Sequence, residues 1–362
     1  MKPRVLLVGR TRYRLPLNQS LRRKFDALAE EVEPRVLASS LDGSRGDETF
    51  RLVPRLPAFD GAAFWALLPL RVARELRRRP TDAVLAQSPY DAAAVLVGRT
   101  LARSPARLVV DVHGDWRTAT RLYGSPLRRL LSPLADRVSA TALRRADAVR
   151  VVSDYTDELV RDVGVRPAGS FPAFMDLDPF VADPPAPLPD RPQALFVGVL
   201  ERYKGIDVLA EAWRLAAPDA DLRIVGSGSR TSVVEGLGVR WDRSLSPEEV
   251  ARALDESTVL VLPSRSEGMG RVVVEAQCRG RAVIGSRVGG IPDLVRDGEN
   301  GLLVEPEDPE ALAEALLRVL SDRELAARLG ASAHASVRVG SPESWAVELR
   351  LLLERTLLNS EQ

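Results

Sequence analysis

Two glutamates, Glu267 and Glu275, flank a glycine-containing turn and could together bind a polyol. A predicted strand ends at Leu262, the turn Gly-Met-Gly follows Glu267, and a helix is predicted from around Val272. Backbone N–H groups at such a helix start can bind phosphate or sugar hydroxyls, assisted by the helix dipole. A carboxylate can accept hydrogen bonds from two hydroxyls, as in a ribose diol. Two isolated glutamates are more often a helix cap and a solvated residue, but the flanking glycines favour a binding site.

Lys204 is a second candidate for chemistry, because lysine is rare in this chain. Of 51 Lys and Arg residues, only Lys2, Lys24 and Lys204 are lysine. Lys204 follows a predicted strand that ends at Gly198, where a phosphate-bearing ligand could bind. An ammonium group is a compact point charge and a guanidinium a planar fork, so the two are not interchangeable beside a leaving phosphate. We predict a phosphate-binding role for Lys204; an exposed surface lysine is the alternative.

Histidine and cysteine are scarce, and this restricts metal chemistry. His113, His334 and Cys278 are the only such residues, which excludes an internal disulfide, a cysteine zinc cluster and a histidine-rich metal site. His113 ends a predicted strand and could face a cleft; a core histidine bonded to the backbone is the alternative. His334 and Cys278 fall in predicted helices and are given structural roles, with Cys278 in the core. The Asp-x-Asp motifs at 176–178 and 219–221 adjoin a linker and a strand, so no metal and no other cofactor is predicted.

Length and composition indicate an ordinary globular chain of two domains. The 362 residues, 45% hydrophobic and 28% charged, exceed what one hydrophobic core usually organises. The net charge of +1 conceals an asymmetry. Residues 1–180 carry 30 Lys and Arg against 21 Asp and Glu, whereas residues 181–362 carry 21 against 29. A basic half is therefore joined to an acidic half, which suggests a different partner for each.

Short apolar strands alternate with helical segments in both halves, a pattern typical of parallel α/β sheets. Predicted strands include 4–8, 83–85, 108–112, 148–152, 194–199, 221–225, 258–262, 282–286 and 301–304. Predicted helices include 21–31, 65–78, 127–145, 207–215, 247–254, 273–279, 309–320 and 323–333. Between the halves, Pro179–Pro192 contains six prolines, which excludes a strand or helix and predicts a linker. The expected fold is α/β, with two doubly wound domains and a ligand in the cleft between them.

The motifs in the second half resemble those of retaining glycosyltransferases of family 4. The agreement in order and spacing covers roughly residues 194–335 and includes four motifs. They are Gly198 with Lys204-Gly205, Glu267-Gly-Met-Gly270 with Glu275-Ala276, Gly289-Gly-Ile-Pro-Asp293-Leu-Val, and Asp297-Gly-Glu-Asn-Gly301-Leu-Leu-Val. The first half is similar more loosely, through Asp111-Val-His113-Gly-Asp115, Ala146–Ser153 and Pro172-Ala-Phe-Met-Asp176.

This resemblance implies a GT-B fold, in which two Rossmann-like domains face each other across a cleft. Residues 1–180 would form the acceptor domain and residues 181–340 the nucleotide-sugar donor domain. Residues 341–362 would form a C-terminal helix that packs back on the first domain. The implied activity is the transfer of a sugar from a nucleotide-diphosphate sugar to an acceptor hydroxyl, with retention of configuration.

The resemblance also assigns roles to individual residues. Glu275 would hold the ribose hydroxyls, Glu267 the transferred sugar, and Lys204 the diphosphate as the glycosidic bond breaks. The amides of Gly268, Met269 and Gly270 would line the sugar phosphate. His113 would reach towards the donor sugar.

Two positions depart from the family pattern. Val199 follows Gly198 where the family often has an arginine, and Arg202 is the candidate to supply that charge. The opening loop, predicted from Gly9 to Arg14, lacks the paired glycines frequent in the family. Gly9, Arg10 and Asp115 are nevertheless the candidate acceptor-side residues.

Arginine clusters in the first half, beside the apolar stretch Ala62–Leu70, suggest an anionic membrane surface as a partner. They are Arg71, Arg74, Arg77, Arg78 and Arg79; Arg128, Arg129, Arg144 and Arg145; and Arg10, Arg12, Arg14, Arg22, Arg23 and Lys24. A buried helix with a solvated basic face is the alternative for any one of them. The apolar run near Met1 is too short for a secretory signal, and no stretch reaches the roughly 20 apolar residues of a spanning helix. We expect a cytoplasmic protein, with peripheral binding to the inner face of the plasma membrane and a lipid-linked acceptor as options.

Two other functions fit parts of the pattern. A nucleotide-sugar epimerase on a related scaffold would need more acid–base groups than two histidines provide. A non-catalytic nucleotide-sugar binder is the other option, because Val199 replaces the usual arginine. Nucleic acid is not an expected partner, since no recognition module is present and aromatic residues make up only 5% of the chain.

Overall fold

The computed structural model describes residues 2–44, 46–54, 60–118, 130–337 and 340–358, and of residues 60–63 the backbone alone. The chain divides into two compact units. Unit 1 comprises Met1–Asp176 together with Gly340–Gln362, and unit 2 comprises Leu177–Val339.

Each unit is built on one sheet in which all strand pairs are parallel. The unit 1 sheet has the order β3-β2-β1-β4-β5-β6-β7, and the unit 2 sheet the order β10-β9-β8-β11-β12-β13. The first sheet contains β1 Arg4–Tyr13, β2 Glu33–Ser40, β3 Phe50–Val53, β4 Ala83–Ala86, β5 Arg107–Val112, β6 Ala148–Val151 and β7 Gly169–Ser170. The second contains β8 Gln193–Val197, β9 Asp221–Val225, β10 Arg240–Asp242, β11 Val259–Leu262, β12 Ala282–Ser286 and β13 Leu302–Val304. The prediction of two parallel-sheet α/β domains is confirmed.

Helices connect the strands, as parallel pairing requires. Within the described residues they are α1 Gln19–Glu31, α2 Asp60–Arg78, α3 Pro89–Ala102, α4 Ser132–Arg144, α5 Asp154–Asp162, α6 Asp178–Val181, α7 Ile206–Ala216, α8 Thr231–Glu235, α9 Pro247–Asp255, α10 Arg271–Cys278, α11 Pro309–Ser321, α12 Arg323–Ser336 and α13 Pro342–Leu358. A single 3₁₀ turn, Arg202–Lys204, precedes α7. The predicted helix 127–145 corresponds to α4, and its first three positions lie outside the described residues.

The unit 1 sheet is covered on both faces, because alternate strand residues enter two separate hydrophobic clusters. One cluster joins residues such as Val110 to α2, α3 and α4, and the other joins residues such as Val109 to α1 and α13. The C-terminal helix α13 thus belongs to unit 1, where Arg350 bonds Glu31 of α1 at 2.6 Å. In unit 2, a cluster that includes Phe196 and Leu316 packs α7, α11 and α12 against the sheet.

The structure corrects the prediction of a loop over Gly9–Arg14. Strand β1 continues to Tyr13, with a register shift between Val8 and Arg12 where it pairs with β2. Tyr13 is buried and packs edge-on against Phe25 and Phe50. Aromatic burial of this kind contributes on the order of 2 kcal/mol, enough to hold the polar residues before it in an extended conformation.

The proline-rich segment is also more ordered than predicted. Pro179 lies in the first turn of α6, where a proline is tolerated because its missing N–H would be unbonded anyway. The carbonyls that follow are held by arginines of unit 2. Arg279 donates to Asp183 O at 2.6 Å and to Pro184 O at 3.0 Å, and Arg281 donates to Ala186 O at 2.8 Å. The segment is therefore bound to unit 2, and the prediction that it excludes a helix is wrong at Pro179.

Candidate functional site

A tight turn at the end of β8 positions Lys204. The turn Arg202–Lys204 is followed by Gly205, whose φ of 69° is left-handed and suits glycine. A Cβ on Gly205 would lie 1.8 Å from Pro263 O, so only glycine lets this turn approach the end of β11. The requirement explains the glycine after Lys204 in the motif.

Arg265 fixes the same turn from the other side, and sequence reasoning did not single it out. Its backbone N–H donates to Tyr203 O at 2.7 Å, and its Nη1 donates to Arg202 O at 2.7 Å. The guanidinium also forms a bidentate pair with Asp207, at 2.7 and 3.0 Å, and bonds Glu307 at 2.8 Å. Because these partners hold a mostly buried arginine in one position, the backbone of the lysine turn is fixed too.

Lys204 and Glu267 form an ion pair between Nζ and Oε2. The two residues are 63 positions apart in the chain, and their side chains are only 13% and 15% exposed. At this degree of burial, solvent screens the attraction between the two charges less than it does in a surface pair. The structure thus brings together a cation and a carboxylate that the sequence analysis selected independently.

The backbone of the Glu267 loop rests on two glycines of the Gly289-Gly290 motif. Gly289 has a φ of 57°, and a Cβ there would lie 1.8 Å from Glu267 O. The N–H of Gly290 donates to the same oxygen at 3.1 Å. The loop ends at Gly270, which has a φ of 68° and begins α10 without a side-chain cap. Met269, within this loop, is buried.

Glu275 lies on α10 and has an unusual environment for a carboxylate. No described residue donates a hydrogen bond to its carboxylate, and burial raises its pKa, although Arg271 acts in the opposite direction. Burial and the nearby Glu275 also raise the pKa of Cys278 to about 11, which fits the predicted core position of that thiol. Glu275 is half-buried, so its carboxylate is partly desolvated yet still accessible to accept hydrogen bonds from a ligand.

Gly198 and Arg202 complete the predicted donor-side residues. The N–H of Gly198 donates to Val225 O at 3.0 Å, and a Cβ there would lie 3.8 Å from Lys204 Cδ. The side chain of Arg202 is exposed and forms no ion pair with the described residues. Val199 is also exposed.

In unit 1, His113 follows the end of β5 and is bonded to a buried charged pair. Its Nε2 lies 2.8 Å from Asp111 Oδ2, and Arg150 Nη1 bonds the other oxygen of Asp111 at 2.5 Å. Burial acts to raise the pKa of Asp111, but Arg150 and His113 outweigh it and hold the pKa well below its usual range. His113 itself is 45% exposed at the side chain.

The predicted acceptor-side residues lie at the same end of the unit 1 sheet. Gly9 leaves room for Gln87, whose side chain would lie within 2.3 Å of a Cβ there. The guanidinium of Arg10 stacks over Trp65 at 5.2 Å. Asp115 accepts from the backbone N–H and Nε of Arg117, at 2.9 and 2.8 Å, so this carboxylate also stabilises its own turn.

Over the described parts of the chain, no group of three or more His, Cys, Asp or Glu residues could hold a metal ion. Nor does any helix there have the length and apolar character needed to cross a bilayer.

Two family models match this chain, one in each unit. The model described as Glycosyltransferase Family 4 matches residues 18–170, and Glycosyl transferases group 1 matches residues 191–322. A D-inositol 3-phosphate glycosyltransferase from Streptomyces griseus is 39% identical over 161 residues, covering 39% of this chain and 34% of that protein. An alpha-maltose-1-phosphate synthase from Mycolicibacterium smegmatis is 34% identical over 227 residues, covering 53% of this chain and 59% of that protein. The chain thus spans about half or less of the length of most curated relatives it matches.

Solved structures share the fold over the whole chain. A sucrose-phosphate synthase from Thermosynechococcus elongatus superposes with a TM-score of 0.71 at 22% identity, covering 100% of this chain and 98% of that one. The catalytic domain of starch synthase IV from Arabidopsis thaliana, bound to ADP and acarbose, gives 0.70 at 14% identity, covering 99% and 100%. Together, the two matched segments take up most of the sequence and carry the motifs described above, so the chain belongs to the family 4 glycosyltransferases and has the GT-B fold.

Proposed function

We propose that this protein transfers a sugar from a nucleotide-diphosphate sugar to an acceptor hydroxyl, with retention of anomeric configuration. The observation that carries the proposal is the Lys204–Glu267 ion pair, which lies beyond the carboxyl ends of strands in the unit 2 sheet. In doubly wound sheets, ligands bind outside the carboxyl ends of the strands. Both residues follow such ends, β8 for Lys204 and β11 for Glu267.

Glu275 is proposed to bind the ribose of the donor. A vicinal diol offers two hydroxyl donors to the two oxygens of a carboxylate, and Glu275 has no donor among the described residues. The hydrogen bonds would compensate for the burial of the carboxylate, which otherwise disfavours its charged form. Binding energy would thus be greatest for ligands that carry both hydroxyls.

Lys204 is proposed to stabilise the departing diphosphate. A bound diphosphate would compete with Glu267 for the ammonium group and leave the Glu267 carboxylate to accept hydrogen bonds from the transferred sugar. Backbone groups of Gly268, Met269 and Gly270, just before α10, are proposed to line the sugar phosphate. Gly198 and Arg202 are proposed to border the same group, beside Lys204. The partial positive charge at the start of α10 and the ammonium group of Lys204 both favour binding of the doubly negative diphosphate.

The reaction exchanges one bond at the anomeric carbon for another. The bond to the diphosphate oxygen breaks and its electron pair leaves with the nucleoside diphosphate, while the acceptor oxygen forms the new bond and gives up its proton to the departing diphosphate oxygen. Charge separates in the transition state, which has oxocarbenium character on the sugar. A cation fixed at the phosphate stabilises charge that appears only as the bond breaks, so Lys204 is expected to act on kcat.

The names of similar proteins support a nucleotide diphosphate donor without identifying the base. A structural neighbour from Anabaena, 18% identical, is a complex with UDP-glucose, and the starch synthase is bound to ADP. On the acceptor side, we propose that His113, Gly9, Arg10 and Asp115 border the acceptor hydroxyl, and that the acceptor is anionic or lipid-linked.

Product stereochemistry tests the proposal directly. With UDP-, ADP- and GDP-sugars of α configuration, we expect at least one to be turned over, either to water or to an added acceptor. Proton NMR of the anomeric signals should show the α product first, before mutarotation. A β product would contradict retention. Donor binding in thermal-shift assays without turnover of any donor would favour the non-catalytic binder, and conversion to an epimeric donor the epimerase.

Exposed apolar residues of unit 1 support the proposed membrane partner. Those that support it lie on α2, on α4 and just before α4: Trp65, Leu67, Leu70, Leu130, Leu131, Leu134 and Val138. One of them, Trp65, lies against Arg10 of the proposed acceptor-side residues, with the guanidinium 5.2 Å from the ring centre. Exposed arginines of the same helices, Arg74 and Arg137, complement anionic lipid; Arg128 and Arg129 lie outside the described residues.

Vesicle binding tests this partner. We expect the protein to sediment with phosphatidylglycerol-containing vesicles at low salt and to bind phosphatidylcholine vesicles weakly. Leu131→Glu/Leu134→Glu should weaken binding by about tenfold or more, because each change removes apolar burial of about 1 kcal/mol or more. Leu317→Glu, an exposed leucine of unit 2, is the matched control and should bind like wild type. Absence of wild-type binding to anionic vesicles at low salt would exclude the membrane proposal.

A further inference from the structure

Asp111 and Arg150 form a buried charged pair whose placement is set by strand register. They are direct partners in the parallel pairing of β5 and β6, so their side chains extend from the same face of the sheet. Arg150 is 0% exposed and Asp111 4% exposed. Their neighbours along the strands, Val110 and Val149, belong to the hydrophobic cluster on the opposite face.

Arg150 is held by two backbone carbonyls, an aromatic ring and the Asp111 carboxylate. Nη2 donates to Phe171 O at 2.9 Å and to Pro172 O at 2.6 Å, and the guanidinium stacks on the Phe171 ring at 4.0 Å. Nη1 donates to Asp111 Oδ1. A buried pair of this kind contributes little to stability compared with well-packed apolar residues, so its position next to His113 requires a separate explanation.

The second oxygen of Asp111 determines the protonation of His113. Oδ2 lies 2.8 Å from Nε2, and an ionised carboxylate can only accept a hydrogen bond. Nε2 must therefore carry a proton, and the neutral ring then has an unprotonated Nδ1. No described residue bonds Nδ1, and the ring is partly exposed.

We propose that Asp111 and Arg150 are positioning residues that hold neutral His113 in the Nε2–H form, so that Nδ1 accepts a hydrogen bond from a ligand hydroxyl. Arg150 keeps Asp111 ionised and oriented; Asp111 in turn orients the ring. The identity of the hydroxyl, on a donor or an acceptor sugar, rests on the proposed function. The protonation of the ring does not.

Nitrogen NMR of histidine tests the first part without any substrate. Because the chain has only two histidines, ¹⁵N-histidine labelling gives two ring systems, and His334 of α12 serves as an internal reference. At a pH where the rings are neutral, we expect His113 to show a protonated Nε2 and an unprotonated Nδ1. In Asp111→Asn the amide can donate to Nε2 instead, so the His113 signals should move towards the Nδ1–H form while those of His334 remain.

Two further variants separate positioning from folding. Asp111→Asn leaves the buried Arg150 guanidinium without a charged partner and can prevent folding. The double variant Asp111→Asn/Arg150→Met removes both charges, and its histidine signals are measured as well. Asp147→Asn is the matched control. This residue pairs with Arg99 and Arg107 at the opposite end of the same strands and should leave both histidines unchanged.

Turnover provides the second measurement. In the folded variant that lacks the carboxylate, kcat should fall by about tenfold to a hundredfold with less change in KM, whereas Asp147→Asn should match wild type. An Nδ1–H form in wild type, or unchanged His113 signals in the variants, would overturn the proposal. If wild type shows the expected nitrogen signals but turns over no donor, the proposed function fails and the positioning of His113 stands.

Discussion

Lys204→Ala is expected to lower kcat for donor turnover by about 10²–10³-fold, the effect typical of removing one group that stabilises transition-state charge. The cation is needed most when the diphosphate leaves, so KM should change less than kcat. Lys204→Arg should restore little of the rate, because the backbone of the lysine turn is held by Arg265 and Gly205 and cannot shift to place a longer, planar guanidinium where the ammonium group lies. The measurement is the steady-state rate of nucleoside diphosphate release.

Removing Lys204 also leaves Glu267 without its partner, and this effect must be separated from the loss of the cation. The double variant Lys204→Ala/Glu267→Gln removes the unpaired charge. If the rate loss comes from the missing cation, the double variant stays as slow as Lys204→Ala. Lys2→Ala, an exposed lysine of unit 1, is the matched control and should behave like wild type. A variant with normal kcat and only a raised KM would contradict the assignment of Lys204 to the leaving group.

The sequence identified Lys204, Glu267 and Glu275 because each stands in a local motif whose chemistry can be named from neighbouring residues. Local motifs do not reveal long-range partners. Arg265 lies within the glutamate motif, yet its function depends on carbonyls 62 and 63 positions earlier, which only the packing of β8 beside β11 brings near. The contact between Lys204 and Glu267 has the same origin.

The sequence contains a signal that Arg150 has a buried, charged partner. In Ala148-Val-Arg-Val151 a charged residue interrupts a strand that is otherwise apolar, and a buried strand in a parallel sheet tolerates a charge only with a partner. The register that pairs it with Asp111 could not be derived from the sequence, because it depends on how β5 and β6 align. The extension of β1 to Tyr13 could not be predicted for a related reason, since the polar residues at 10–12 indicate a loop unless the burial of Tyr13 is known.

Glu275→Gln is expected to stabilise the protein without donor and to weaken donor binding, two effects of opposite sign. Burial raises the pKa of Glu275 in the folded state, so the folded protein binds this proton more tightly than the unfolded chain does. The wild type therefore loses stability as pH rises from the usual glutamate pKa of 4.5 through the raised folded-state value. Glutamine is uncharged and avoids this loss, so its advantage should be present at pH 7.5 and should shrink as pH falls towards 4.5.

For donor binding, we expect the wild type to be the better of the two proteins. Glutamine accepts hydrogen bonds through one neutral oxygen, whereas the carboxylate accepts them through two charged ones, and hydrogen bonds to charged groups are worth about 1.5–3 kcal/mol. The dissociation constant of the nucleotide sugar should therefore rise by about tenfold to a hundredfold. Thermal unfolding between pH 5.5 and 8, with and without donor, measures both effects, and Glu314→Gln on the exposed face of α11 is the control. If Glu275→Gln lowered the donor-free melting temperature at pH 7.5, the claim that the charged Glu275 carboxylate destabilises the donor-free protein would be wrong. If it bound donor as tightly as wild type, Glu275 would not be the group that holds the ribose, because an isosteric change there alters only charge and hydrogen-bond capacity.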